Sequence, residues 1–126
     1  MLYVNCRIVL RHGKTVSFFV GKTMYRGTTP SITFNIKTDI DLDELAVCYI
    51  TLKSVDKNIV ETYDLDDIIV DSQLKTLTIA LSQEETLAFA RGVIYVQIRL
   101  RTNDDLAYAS QIKELRMNDI LKDGVI

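Results

Sequence analysis

The chain has 126 residues, 48% of them hydrophobic and 25% charged, with a formal net charge of -2. That length fits one domain with a core that needs no covalent staples, and the slight negative charge excludes the basic footprint of a protein that binds phosphate backbones. Two cysteines, Cys6 and Cys48, are too few for a disulfide framework, and the absence of a run of about eighteen apolar residues excludes a transmembrane helix.

The first 23 residues differ from the rest. They contain Arg7, Arg11, Lys14 and Lys22 but no Asp or Glu, so every acidic residue lies after Met24. The apolar stretch at the start is cut by Arg7 and Arg11 and has no small-residue cleavage site, which is a poor secretory signal. Val4, Cys6, Ile8 and Leu10 alternate with Asn5, Arg7 and Arg11, and "TVSFFV" at 15–20 can pair back across Arg-His-Gly-Lys. Residues 1–23 therefore read as an N-terminal extension, either a β-hairpin or a leader from an upstream start. A composition shift at a methionine makes Met24 a candidate start.

From Met24 onward the pattern is one of strands. "SITFNI" sends Ile32, Phe34 and Ile36 to one face. "AVCYITLK" places Ala46, Cys48, Ile50 and Leu52 inward and Tyr49, Thr51 and Lys53 outward. "NIVETY" and "DIIVD" are shorter. "KTLTIAL" directs Leu77, Ile79 and Leu81 one way, and "VIYVQIRLR" sets Ile94, Val96, Ile98 and Leu100 against Tyr95, Gln97, Arg99 and Arg101. "AYASQI" follows the turn Asn103-Asp104-Asp105. A period of two marks half-buried strands, and one-sided alternation favours antiparallel pairing.

Two segments break that rhythm. "SQEETLAFA" opens with Ser82 and carries Glu85 three residues on, the spacing of a capping box. It predicts one short helix near residues 82–90 whose Leu87 and Phe89 plug the end of the fold. "NDILKDG" near the C-terminus predicts a short turn closed by Gly124. Seven or so short strands fit an all-β, antiparallel two-sheet sandwich of immunoglobulin-like type over residues 24–126, without the Trp of antibody domains. Pro30 precedes the first body strand, where its missing N–H removes no ladder bond. Both cysteines sit in alternating apolar runs and read as buried thiols.

Familiar chemistry is not spelled out in these residues. His12, the one histidine, has no nucleophile or orienting acid tied to it by a motif. Asp39, Asp41 and Asp43 imitate the start of a calcium loop, but Glu44 and Ile50 occupy the positions that require Gly and a bidentate Glu. Gly21-Lys22-Thr23 lacks the second glycine of a phosphate loop, because Val16 stands where it belongs. No catalytic residue, metal or cofactor is expected, and the chain does not read as an enzyme.

The segments "YRGTTPSITF", "LSQEETLAF", "VQIRL" and "AYASQI…ILKDGVI" resemble those of a family of small immunoglobulin-like structural proteins of phages and prophages of Gram-positive bacteria. The resemblance spans residues 24–126, and family members begin near the position of Met24. It implies a virion structural or adaptor protein of tail, baseplate or head. Such a protein is assembled in the bacterial host cytoplasm and works through contacts with other virion proteins or its own copies. It implies no nucleic-acid or membrane partner. The alternative function is a module that binds carbohydrate on the host surface.

An immunoglobulin-like order would make the strands at 46–53, 93–101 and 106–112 neighbours in one sheet. Their outward residues would form one face: Tyr49, Thr51 and Lys53; Tyr95, Gln97, Arg99 and Arg101; Tyr108 and Ser110. Tyr and Arg are the side chains enriched in interface anchors, so this face is the expected protein-binding surface, with Asp104 and Asp105 at its rim.

Overall fold

The computed structural model describes residues 3–10 by their backbone and 23–55 and 58–126 in full. The expected strand TVSFFV and His12 lie outside the described residues.

Among the described residues, ten strands form two sheets. The first is four-stranded, in the order β1 (Tyr3–Leu10), β3 (Pro30–Lys37), β7 (Thr76–Ala80), β6 (Ile69–Asp71). The second runs β2 (Thr23–Tyr25), β10 (Lys113–Asn118), β8 (Gly92–Thr102), β4 (Leu45–Ser54), β5 (Val60–Tyr63), with β9 (Ala107–Ala109) paired to the far half of β8. With β1, β3, β4, β5, β6, β7, β8 and β10 read as strands A, B, C, C′, D, E, F and G, this is the immunoglobulin-like order ABED against GFCC′. An all-β sandwich with, among the described residues, one short α-helix is thus the observed fold. One pairing departs from the antiparallel expectation: β2 runs parallel to β10, Met24 opposite Met117. β1 pairs along its whole length with β3, from Tyr3 opposite Lys37 to Leu10 opposite Pro30.

The alternation read from the sequence supplies the core. Ile32, Phe34, Leu77 and Ile79 from one sheet meet Ile50, Leu52, Ile94 and Ile98 from the other, all at most 1% exposed. Removing each such side chain from water contributes about 1.5–3 kcal/mol. Cys48 is buried among them, and desolvation pushes its thiol up to about 11, so it is a neutral packing group at physiological pH.

Strand β10 was not among the expected strands, although Leu115 and Met117 alternate with Glu114 and Arg116. Those two inward residues are 2% and 0% exposed. A period of two over so few residues is a weak signal, and the sheet neighbours β8 and β2 decide it. The expected turn over "NDILKDG" is a series of bends with Gly124 at φ +91.

Helix α1 (Gln83–Ala88) sits at the pole where β7 hands over to β8. Its capping box is complete: Ser82 Oγ accepts from the Glu85 N–H at 3.1 Å, and Glu85 Oε1 accepts from the Ser82 N–H at 3.0 Å. Glu85 Oε2 also accepts from the Tyr63 hydroxyl. Burial, then the hydrogen bond to Glu85, raises Tyr63 far above its ordinary value, so it stays a donor and ties β5 to the helix. Ser82→Ala is expected to cost about 1 kcal/mol, read from a shift of the urea midpoint at unchanged slope. The plug differs from expectation in one side chain. Thr86 and Phe89 are fully buried, whereas Leu87 is half-buried and lies over the turn at Gly27.

Candidate functional site

The two ends of the sandwich and the outer face of the larger sheet hold the chemistry-bearing side chains. Each was built from segments that the sequence reading singled out, but they do different work.

At the α1 end, the Arg-Gly-Thr turn, the helix and the C-terminal segment converge. Arg26 Nε donates to the Phe89 carbonyl at 2.8 Å, and Nη2 to the Leu87 carbonyl at 3.1 Å. Its Nη1 holds Asp119 at 2.8 Å and Asp123 at 3.6 Å. The hydrogen bond from Arg26 holds the Asp119 carboxyl below its usual range. Gly27 has φ +72, and a methyl there would come within 2.9 Å of Ile120 Cδ1, so only glycine fits. Thr86 Oγ1 donates to the Thr28 carbonyl at 2.8 Å. Gln83 brackets Ile126, accepting from its N–H at 2.9 Å and donating to its carbonyl at 3.2 Å. The Arg-Gly-Thr turn, the helix and the C-terminal segment are therefore one clasp. Its groups are spent on one another, so this end is scaffold.

The outer face of the larger sheet is different. Residues directly opposite in an antiparallel ladder share a face. Lys53 stands opposite Tyr95, Thr51 opposite Gln97, and Tyr49 opposite Arg99. Arg101 stands opposite Val47. All seven expected residues on β4 and β8 thus lie on one surface. Tyr49 is 46% exposed and Tyr95 38%. Gln97 is committed locally, its Nε2 donating to the Ser110 carbonyl at 2.9 Å. Arg101 pairs with Asp105 at 3.2 Å, an exposed contact.

Tyr108 and Ser110 do not belong to this face. Tyr108 pairs with Leu100, whose side chain is 3% exposed, so Tyr108 shares the inward side and packs against the core. Ser110 is buried, its Oγ accepting from the Ile98 N–H at 3.0 Å. The loop after β8 sets the register so that Ala107 faces Arg101 and Ala109 faces Arg99. A one-residue difference in register flips every side chain, and "AYASQI" offers no strong apolar alternation to fix it.

The face also holds residues that the sequence reading missed. Thr62 and Val60 on β5 stand opposite Thr51 and Lys53. On β10, Glu114 is opposite Tyr95 and Arg116 opposite Val93. Among the described residues, the face has four cations, Lys53, Arg99, Arg101 and Arg116, against the carboxylates of Glu114 and, at the rim, Asp105.

The end opposite α1 is acidic. The loop into β4 carries Asp39, Asp41, Asp43 and Glu44; the loop after β5, with Asp64, Asp66 and Asp67, runs along the side of the sandwich, where Asp67 shares a pocket with Glu85 of α1; the loop after β8 carries Asp104 and Asp105 at the same end as the first. Some of these carboxylates shape their own turns. Asp41 accepts from the Asp43 N–H at 3.0 Å, Asp64 from the Asp66 N–H at 3.0 Å, and Asp104 from the Thr102 hydroxyl. Lys75 Nζ is held by the carbonyls of Thr38 and Ile40. Between the first and third loops lies an open cleft with Asp39, Asp41, Glu44 and Asp104 at its rim and Ile40, Leu106 and Tyr108 in its walls. No group of three or more His, Cys, Asp or Glu side chains among the described residues is placed to hold a metal ion.

The fold and these surfaces define an immunoglobulin-like β-sandwich with a clasped end, an acidic end and a cationic, tyrosine-bearing sheet face. No family model matches the chain, and no curated protein is significantly similar to it.

Proposed function

We propose that this chain is a structural or adaptor protein of a phage or prophage virion that works by protein–protein contact through the outer face of its larger sheet. The observation that carries this reading is the set of exposed Tyr49, Tyr95, Lys53 and Arg99 on adjacent strands of a rigid sheet. Tyrosine supplies contact area at low entropic cost, and arginine supplies planar, bidentate bonds. Both are held on strands, so little ordering entropy opposes docking. The resemblance of residues 24–126 to the phage family supplies the virion setting. A carbohydrate-binding module would be expected to present its aromatics at loop tips, whereas these tyrosines stand in mid-strand.

The test is mass spectrometry of virions purified through a density gradient after prophage induction. Peptides of this chain at a copy number in fixed ratio to the other virion proteins are expected. Their confinement to the soluble lysate would overturn the assignment.

A further inference from the structure

The sheet face and the acidic end are complementary in charge, and they belong to the same chain. We infer that the partner of the face includes a second copy of this chain, whose acidic end docks on the cations of the first. The inference rests on the reading of the face as a docking surface and adds the identity of the occupant.

Three observations lead there. The face carries Lys53, Arg99, Arg101 and Arg116 against Glu114 and the rim residue Asp105, so it keeps an excess of positive charge and two copies meeting face to face would set like charges together. A two-fold contact through this face is therefore disfavoured, and an acidic partner is favoured. The chain supplies such a surface itself: the two loops that meet at the acidic end hold Asp39, Asp41, Asp43, Glu44, Asp104 and Asp105, six of its 17 acidic residues. The third observation is shape. The cleft between the loops has a carboxylate rim and apolar walls, with Leu106 51% exposed. That chemistry suits the rings and guanidinium groups of a face carrying Tyr49, Tyr95 and Arg99. Exposed ion pairs contribute little one at a time, so the contact depends on several acting with the tyrosines and on low salt.

Because different surfaces of each copy meet, the contact is heterologous. It leaves a free face at one end and a free acidic end at the other, so it propagates into a ring or a filament rather than stopping at a dimer.

A charge exchange tests this. Lys53→Glu/Arg99→Glu reverses the face, and Asp39→Lys/Asp43→Lys reverses the acidic loop into β4, which contributes Asp39 to the rim. Light scattering on the parent is expected to show species larger than a dimer at low salt (about 0.02 M) and monomer at about 0.5 M. Each variant alone should be monomeric, and an equal mixture should regain the large species, because reversed face meets reversed loop and native face meets native loop. Melting curves matching the parent verify the fold. If a reversal unfolds the chain, the neutralising pairs Lys53→Gln/Arg99→Gln and Asp39→Asn/Asp43→Asn replace it, and each should reduce association at low salt. A parent that is monomeric at low salt, or a mixture of folded variants that stays monomeric, overturns the inference. If the parent is monomeric while a variant of the face is excluded from virions, the face is a docking surface for another virion protein and only the second-copy inference falls.

Discussion

Replacing Phe89 with alanine is expected to destabilise the fold by about 3–5 kcal/mol, the range for truncating a fully buried aromatic. Phe89 closes α1 and turns the chain into extended backbone, with φ -80 and ψ 142. Its side chain is 0% exposed and its carbonyl is one of the two that Arg26 holds. Truncation leaves a cavity at the end of the sandwich, where β7, β8 and the helix must meet. Equilibrium unfolding in urea measures the loss, and a variant within about 1 kcal/mol of the parent would contradict a plug at this position. Leu87→Ala should cost less than Phe89→Ala, because Leu87 is half-buried.

Arg26→Ala is expected to cost about 2–4 kcal/mol, because hydrogen bonds to a charged donor are the stronger ones and two carbonyls lose theirs. The guanidinium side chain is 18% exposed, so water replaces it poorly. Arg26→Lys should recover little of the loss. An ammonium cannot reach Leu87 and Phe89 on one side and Asp119 on the other with a planar fork. The pH dependence has a definite sign. The depressed Asp119 carboxyl contributes stability that is present above the ordinary carboxylate range and is lost as the pH falls through its folded value. The difference between parent and Arg26→Ala should therefore narrow in acid. A gap that stays constant from neutral pH to about pH 2 would place the whole effect in the two carbonyl bonds and none in Asp119.

The sandwich was legible in the sequence because its long strands are buried on one side only. "VIYVQIRLR" and "AVCYITLK" obey a strict period of two, and every inward residue expected on β8 is buried. The helix was legible because a capping box is a local device that needs only Ser82 and Glu85. Strand β10 was not legible, since only Leu115 and Met117 carry its pattern. The parallel pairing of β2 could not be read either, because three residues have no direction of their own and β10 imposes one.

Seven of the nine residues expected on the face share one surface because strand parity fixes them, whereas Tyr108 and Ser110 do not. Tyr108 failed because parity across a loop depends on the loop length at which pairing resumes, and the ladder closes with Thr102 donating to the Leu106 carbonyl. Glu114 and Arg116 were missed together with the strand that carries them. Three conspicuous sequence segments are explained by the frame of the fold. "RGTTP", "SQEETL" and "ILKDGVI" are far apart in sequence, yet they meet in the clasp around Arg26. Such residues keep the frame in shape, while the face that is free to bind lies on the strands between them.

The proposed docking of this chain into a virion runs through the tyrosine and arginine face. Its most direct measurement is the amount of Tyr95→Ala/Arg99→Glu in purified virions when that variant replaces the parent in the prophage. Both side chains point away from the core, so its melting curve should match the parent's. The account predicts a folded variant that accumulates in the lysate and is missing from virions. A folded variant incorporated at the parent's copy number would contradict it.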